Sequence, residues 1–173
     1  FIFQSYNLLP SMTAAENVAL PLMFKGVPPK TRLAMAKKEL KNLGLSGRAN
    51  HLPTEMSGGQ QQRVGIARAF VSRPKVIFAD EPTGNLDSVT SKQVLWRMLE
   101  LSKQESITFV MVTHEPSLAA CADRIITILD GKVQSNLQPP ETEKQKARDA
   151  LFASIAGNLE IGGAAAKGAP TAA

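Results

Sequence analysis

The sequence predicts an α/β fold: parallel strands covered by helices, a helical subdomain inserted among them, and an antiparallel hairpin at the sheet edge. Three observations predict it. Short continuous apolar runs at 76–79 and 107–112 alternate with segments of helical period, the pattern of strands buried in a parallel sheet. The interval 13–55 carries helical patterning and no strand-like run. Asp130-Gly131, between the apolar run 125–129 and residues 132–134, is a hairpin turn.

In chain order, residues 1–3 read as the end of a buried strand, with Gln4 directly after it. Residues 5–12, containing Asn7 and Pro10, form a loop. Thr13 followed by Glu16 has capping-box spacing, and the helix it opens is expected to break at Pro21 and again at 26–29. Leu33, Ala36, Leu40 and Leu43 make one apolar stripe on a helix over 30–43, which Gly44 stops. Residues 46–55 are a polar loop, and 58–71 a mostly apolar, buried helix with Gly65 in its interior. A strand over 76–79 precedes a helix over 88–103, whose Val94, Met98 and Leu101 share a face. The strand 107–112 ends at Thr113-His114-Glu115, and a short helix over 117–122 leads into the hairpin. Pro139-Pro140 breaks the chain before a helix over 141–155, and a Gly/Ala-rich tail or linker begins at Gly157.

At 173 residues, 43% apolar and 20% charged, the chain suits one globular domain with a proper core. The single cysteine, Cys121, excludes an internal disulfide and points to a reducing compartment. No apolar run reaches the length of about 20 residues that a membrane span needs. The first residue is Phe, already in a strand, so the true start is expected upstream. Residues 25–41 hold six basic residues (Lys25, Lys30, Arg32, Lys37, Lys38, Lys41) against Glu39, an excess equal to the whole-chain charge of +5. Either a solvated helix face or a surface near anionic lipid or an acidic partner accounts for it. No aromatic residues interleave with these charges, so nucleic acid is not expected as a partner.

The chemistry concentrates in 56–87. Ser57-Gly58-Gly59-Gln60 opens a helix, where unpaired backbone N–H groups and the helix dipole favour phosphate. The strand at 76–79 ends in Asp80-Glu81, adjacent carboxylates suited to a magnesium ion and an attacking water. Together these imply nucleoside triphosphate chemistry.

Gln4 after a strand, Ser57–Gln60, Asp80-Glu81, Asn85-Leu86-Asp87 and His114 after the next strand occur in an order that closely resembles the ATP-binding-cassette (ABC) ATPases, over residues 1–134. The match is to their Q-loop, signature, Walker B strand, D-loop and switch histidine. The runs from Phe3 to Pro10, Thr13 to Val18 and Ala79 to Asp87 look like the lipoprotein-release and macrolide-export branch. Met56 and Gly65 stand where Leu and Ala are commoner, small departures.

The resemblance implies a P-loop NTPase-like sheet, with ATP and Mg²⁺ as cofactors. Asp80 would hold Mg²⁺, Glu81 would activate the water, and His114 would steady the γ-phosphate. Gln4 would sense metal and nucleotide, Ser57, Gly58, Gly59 and Gln60 would bind nucleotide, and Asp87 would act across a dimer interface, or cap the helix from Ser88. It also implies a head-to-tail dimer of ATPase subunits, a transmembrane permease partner, and a peripheral place on the cytoplasmic face of the inner membrane.

The family's Walker A loop, G-x-x-x-x-G-K-[ST], does not occur in these 173 residues. The expected organisation is a partial ATPase domain over 1–137 with its helical subdomain at 13–55, a C-terminal helix over 138–156, and a tail over 157–173. A chromosome-maintenance or DNA-repair ATPase would carry coiled-coil arms between Gln4 and Ser57; residues 5–55 contain no heptads. A non-catalytic remnant is the other reading of a chain without that loop.

Overall fold

A computed structural model describes residues 1–156; the expected tail over 157–173 lies outside the described residues. The described chain forms two compact units, residues 1–7 with 73–156, and residues 8–72. Tyr6 and Asn7, at the end of the first segment, both have positive φ (59° and 46°).

The helical unit holds α1 (Ala14–Phe24), α2 (Pro29–Asn42) and α3 (Gly58–Phe70), each packed on the other two. It extends past 13–55 on both sides and takes in α3. Thr13 caps α1 with the expected box: its Oγ1 accepts from the Glu16 N–H, and Glu16 Oε2 accepts from the Thr13 N–H at 2.8 Å. Contrary to expectation, α1 does not break at Pro21 but runs through it. A proline inside a helix costs about 3 kcal/mol. Packing offsets that cost here, because Ala14, Ala15, Val18, Ala19 and Leu22 are buried on one side. Asn17, fully buried, adds a bond from the Leu9 N–H and donates to the carbonyls of Leu9, Met12 and Thr13. The helix stops where Gly26 takes φ +73° and the Val27 N–H reaches the Leu22 carbonyl.

On α2, Ala36 and Leu40 are buried, with Leu43 just beyond. Lys30, Lys37, Lys38 and Lys41 are exposed, whereas Lys25 donates to the Ser72 carbonyl and Arg32 to that of Val27. The basic segment is thus part structural ties, part solvated face.

In the sheet unit, β1 (Val76–Asp80) pairs in parallel with β2 (Thr108–Val112), Ile77 opposite Phe109 and Ala79 opposite Met111. On the other side of β1 only Ile2 bridges among the described residues, its N–H donating to Phe78 O and its carbonyl accepting from Asp80 N–H. The expectation of strands buried on both faces fails. Ile77 and Ala79 are buried, but Val76, Phe78, Val110 and Val112 are exposed, so the strands alternate. Burial is confined to one face of these strands in the described residues, and a continuous apolar run cannot report which of its faces finds a partner.

The helices of this unit are α4 (Ser88–Gln104), α5 (Pro116–Ala119) and α6 (Glu141–Ile155). The hairpin, β3 (Ile125–Leu129) and β4 (Lys132–Leu137), turns at Asp130 and Gly131, both at positive φ. It is hydrogen-bonded as a two-stranded sheet of its own, and β4 runs three residues past the expected 134. α6 packs on α4 through Phe152 and Trp96, whose rings lie 4.9 Å apart. Its buried Lys144 amine bridges Asp123 and Glu141, and Arg148 holds the Cys121 carbonyl.

Candidate functional site

Glu81 follows β1 directly and sits at φ +44°, where a side chain other than glycine is held only by its surroundings. Its N–H donates to Val112 O at 3.0 Å, carrying the parallel ladder one residue past β1. Its carbonyl then accepts from the Gly84 N–H at 3.0 Å, closing a turn. The result aims the carboxylate along the end of the sheet, where Oε1 meets His114 Nδ1 at 2.7 Å. An ionised carboxylate only accepts, so the shared proton sits on Nδ1.

The two partners differ in exposure: the Glu81 side chain is 22% exposed and that of His114 82%. The hydrogen bond that His114 donates to Glu81, and then the Glu81 charge, hold the His114 pKa above the ordinary imidazole value, with Glu115 adding to them. Both residues line a cleft of about 260 Å³, with Thr83, Gly84, Ser91 and Thr113 on its walls.

Gln4 belongs to the same unit. Its backbone carbonyl accepts from Asn85 Nδ2 at 3.0 Å, and its carboxamide lies against Gly84. Asp80 is the last residue of β1, one position before Glu81, and is exposed. Asp87 caps α4, accepting from the N–H groups of Val89 at 3.1 Å and Thr90 at 3.0 Å. Hydrogen bonds from Thr90 first, then Val89, hold its carboxyl below the usual range. In the single chain, then, Asp87 is a helix cap.

Ser57, Gly58, Gly59 and Gln60 stand in the helical unit at the mouth of α3. Ser57 Oγ accepts from the Gln60 N–H at 3.3 Å, and Gln60 Oε1 accepts from the Ser57 N–H at 3.1 Å. This box holds the mouth open in a defined shape. Ser57 uses its hydroxyl as an acceptor, so the O–H proton is still available to donate, beside the first N–H groups of the helix.

Sequence reasoning missed Ser91 and Gly84. Ser91 is buried, and its Oγ donates to the carbonyls of Thr83 and Leu86, tying the turn after Glu81 to α4. The signal was a hydroxyl on the apolar face of α4, one turn before Val94 and Leu95 and two before Met98. Gly84 gave no such signal.

Residues 1–84 match the family described as ABC transporter. The chain is 46% identical over 155 residues to a macrolide export ATP-binding/permease protein MacB of Marinobacter nauticus, covering 86% of this chain and 24% of that protein. It is 47% identical over 133 residues to the lipoprotein-releasing system ATP-binding protein LolD 1 of Rhodospirillum rubrum, covering 77% of this chain and 59% of that one. The fold resembles the ATP-binding cassette MJ0796, solved as a dimer in a post-hydrolysis state bound to ADP and Pi. That likeness has a TM-score of 0.71 and 41% identity, over 80% of this chain and 61% of the other. The chain thus spans about a quarter of the macrolide-export relative's length and under two thirds of the shorter ones. With its α/β architecture, its motifs and these likenesses in agreement, this chain belongs to the ABC transporter family, as part of an ATP-binding cassette.

Proposed function

We propose that this chain supplies the water-activating carboxylate and the nucleotide-gripping helix mouth of an ATPase that powers a membrane export or lipoprotein-release complex. The observation that carries the reading is the Glu81–His114 pair, 2.7 Å apart at the edge of a cleft at the end of the sheet. Glu81 orients and deprotonates the attacking water. His114, fixed by Glu81 through Nδ1, presents Nε2 to the γ-phosphate and stabilises the charge that develops there.

Asp80 and the Gln4 amide oxygen are hard oxygen donors that fit Mg²⁺. Among the described residues no group of three or more His, Cys, Asp or Glu could hold a metal ion by itself. When bound, the ion would neutralise phosphate charge.

Ser57, Gly58, Gly59 and Gln60 bind the nucleotide held by a second copy in a head-to-tail dimer, and Asp87 works across that interface. The helical unit passes the nucleotide state to a transmembrane permease at the cytoplasmic face of the inner membrane. Phe24, 81% exposed at the end of α1, supports a docking role for that unit. Among the described residues no helix is long and apolar enough to cross a membrane itself.

In a longer chain that carries this sequence and a phosphate-binding loop, Glu81→Gln should keep ATP binding and lower turnover by about 10²-fold or more, on the scale expected for a general base. Turnover at the wild-type rate would remove Glu81 from this role.

A further inference from the structure

Gly84 lies in the turn after Glu81, and its φ is outside the left-handed region, so the backbone does not demand glycine there. The space does. A Cβ built on Gly84 would stand 2.8 Å from Gln4 Nε2 and 3.4 Å from Gln4 Cδ, inside van der Waals contact. The next residue, Asn85, donates from Nδ2 to the Gln4 backbone carbonyl at 3.0 Å. Gln4 therefore meets two consecutive residues far along the chain: its exposed carboxamide lies close over Gly84, and its backbone carbonyl is bonded by Asn85. The turn is itself anchored, by the Gly84 N–H on the Glu81 carbonyl and by Ser91 under Thr83 and Leu86.

We propose that Gly84 and Asn85 are positioning residues for Gln4, and that through them the Gln4 carboxamide and the Glu81 turn move as one body. The inference deepens the function proposed above, and rests on it where Gln4 is taken as a ligand of metal and nucleotide. The clash at Gly84 is with the far end of a flexible side chain. Ala at that position is therefore accommodated by a rotation of Gln4 rather than by a shift of backbone. Gly84→Ala becomes a near-silent change for folding and a selective displacement of one carboxamide.

Two measurements test this. In the 173-residue chain, Gly84→Ala should leave the melting temperature unchanged within about 2 °C, consistent with a surface-like change, and should shift the side-chain amide resonances of Gln4. Unmoved Gln4 resonances would overturn the clamp. In a longer chain that hydrolyses ATP, Gly84→Ala should lower kcat on the order of 10-fold to 100-fold, the scale of a misplacement of about 1 Å. The same substitution in a Gln4→Ala background should have no further effect, because the truncated side chain leaves the space empty. An equal loss in both backgrounds would overturn the proposal. Loss of Gln4 with no change in turnover, but with the resonance shift present, would remove Gln4 from its ligand role and leave the clamp standing.

Discussion

The helical unit and the sheet unit handle apolar surface differently. In residues 8–72, Ala14, Val18, Leu22, Ala36, Leu40 and Ile66 are each at most 3% exposed. In the sheet unit Ile77 and Ala79 of β1 are buried and Phe109 and Met111 of β2 half-buried, while Phe78 and Val112 stay open on the other face, as do Ile128 and Val133 on the hairpin. A helix has one apolar stripe, and three helices packed pairwise can bury all three stripes. A parallel strand carries two apolar faces and needs a layer on each. The unit that closes its own core carries the capped mouth of α3. The unit that leaves a face open carries Glu81, His114 and Gln4, held by strained backbone and a few hydrogen bonds.

Truncation shows this contrast most strongly. Leu40→Ala, at a fully buried position, should lower stability by about 2–5 kcal/mol. Val112→Ala, 61% exposed on β2, should change it by no more than about 0.5 kcal/mol. Urea denaturation followed by circular dichroism measures both, and equal losses would erase the distinction between the units.

A smaller effect concerns the caps. Thr13→Ala removes the box at the start of α1 and should cost about 1 kcal/mol. Hydrogen exchange of the first-turn amides reads it, and unchanged protection would show that packing alone holds the helix.

The smallest effect is protonic. His114 has its folded pKa raised, so the contribution of its contact with Glu81 is complete below the free imidazole value of about 6.5 and is lost as pH rises through the folded value. Nuclear magnetic resonance titration of His114 should give a pKa above that reference, and Glu81→Gln should lower it. A pKa that ignores the substitution would separate the pair.

Legibility followed the range of the forces involved. The box at Thr13 and Glu16, the stop at Gly44 and the turn at Asp130-Gly131 involve near neighbours in the chain, so they were readable. Gln4, Glu81 and His114 were nameable through family resemblance, because their spacing is a pattern even though their meeting is not. The continuation of α1 through Pro21 was not readable, since Asn17 and a buried apolar face outweigh a local penalty. Nor were the alternating strands, because cover comes from elsewhere in the chain.

By itself the sequence determined where helices begin, which strands end in carboxylates, and which family those ends belong to. Each of these is set by short-range hydrogen bonding, backbone preference or a linear motif. Only the tertiary structure decided that Glu81 turns onto His114 and that the space over Gly84 is filled by Gln4. The tie from Asn85 to Gln4 spans 81 positions of sequence. Steric exclusion between segments so far apart leaves no trace in the residues on either side of a glycine.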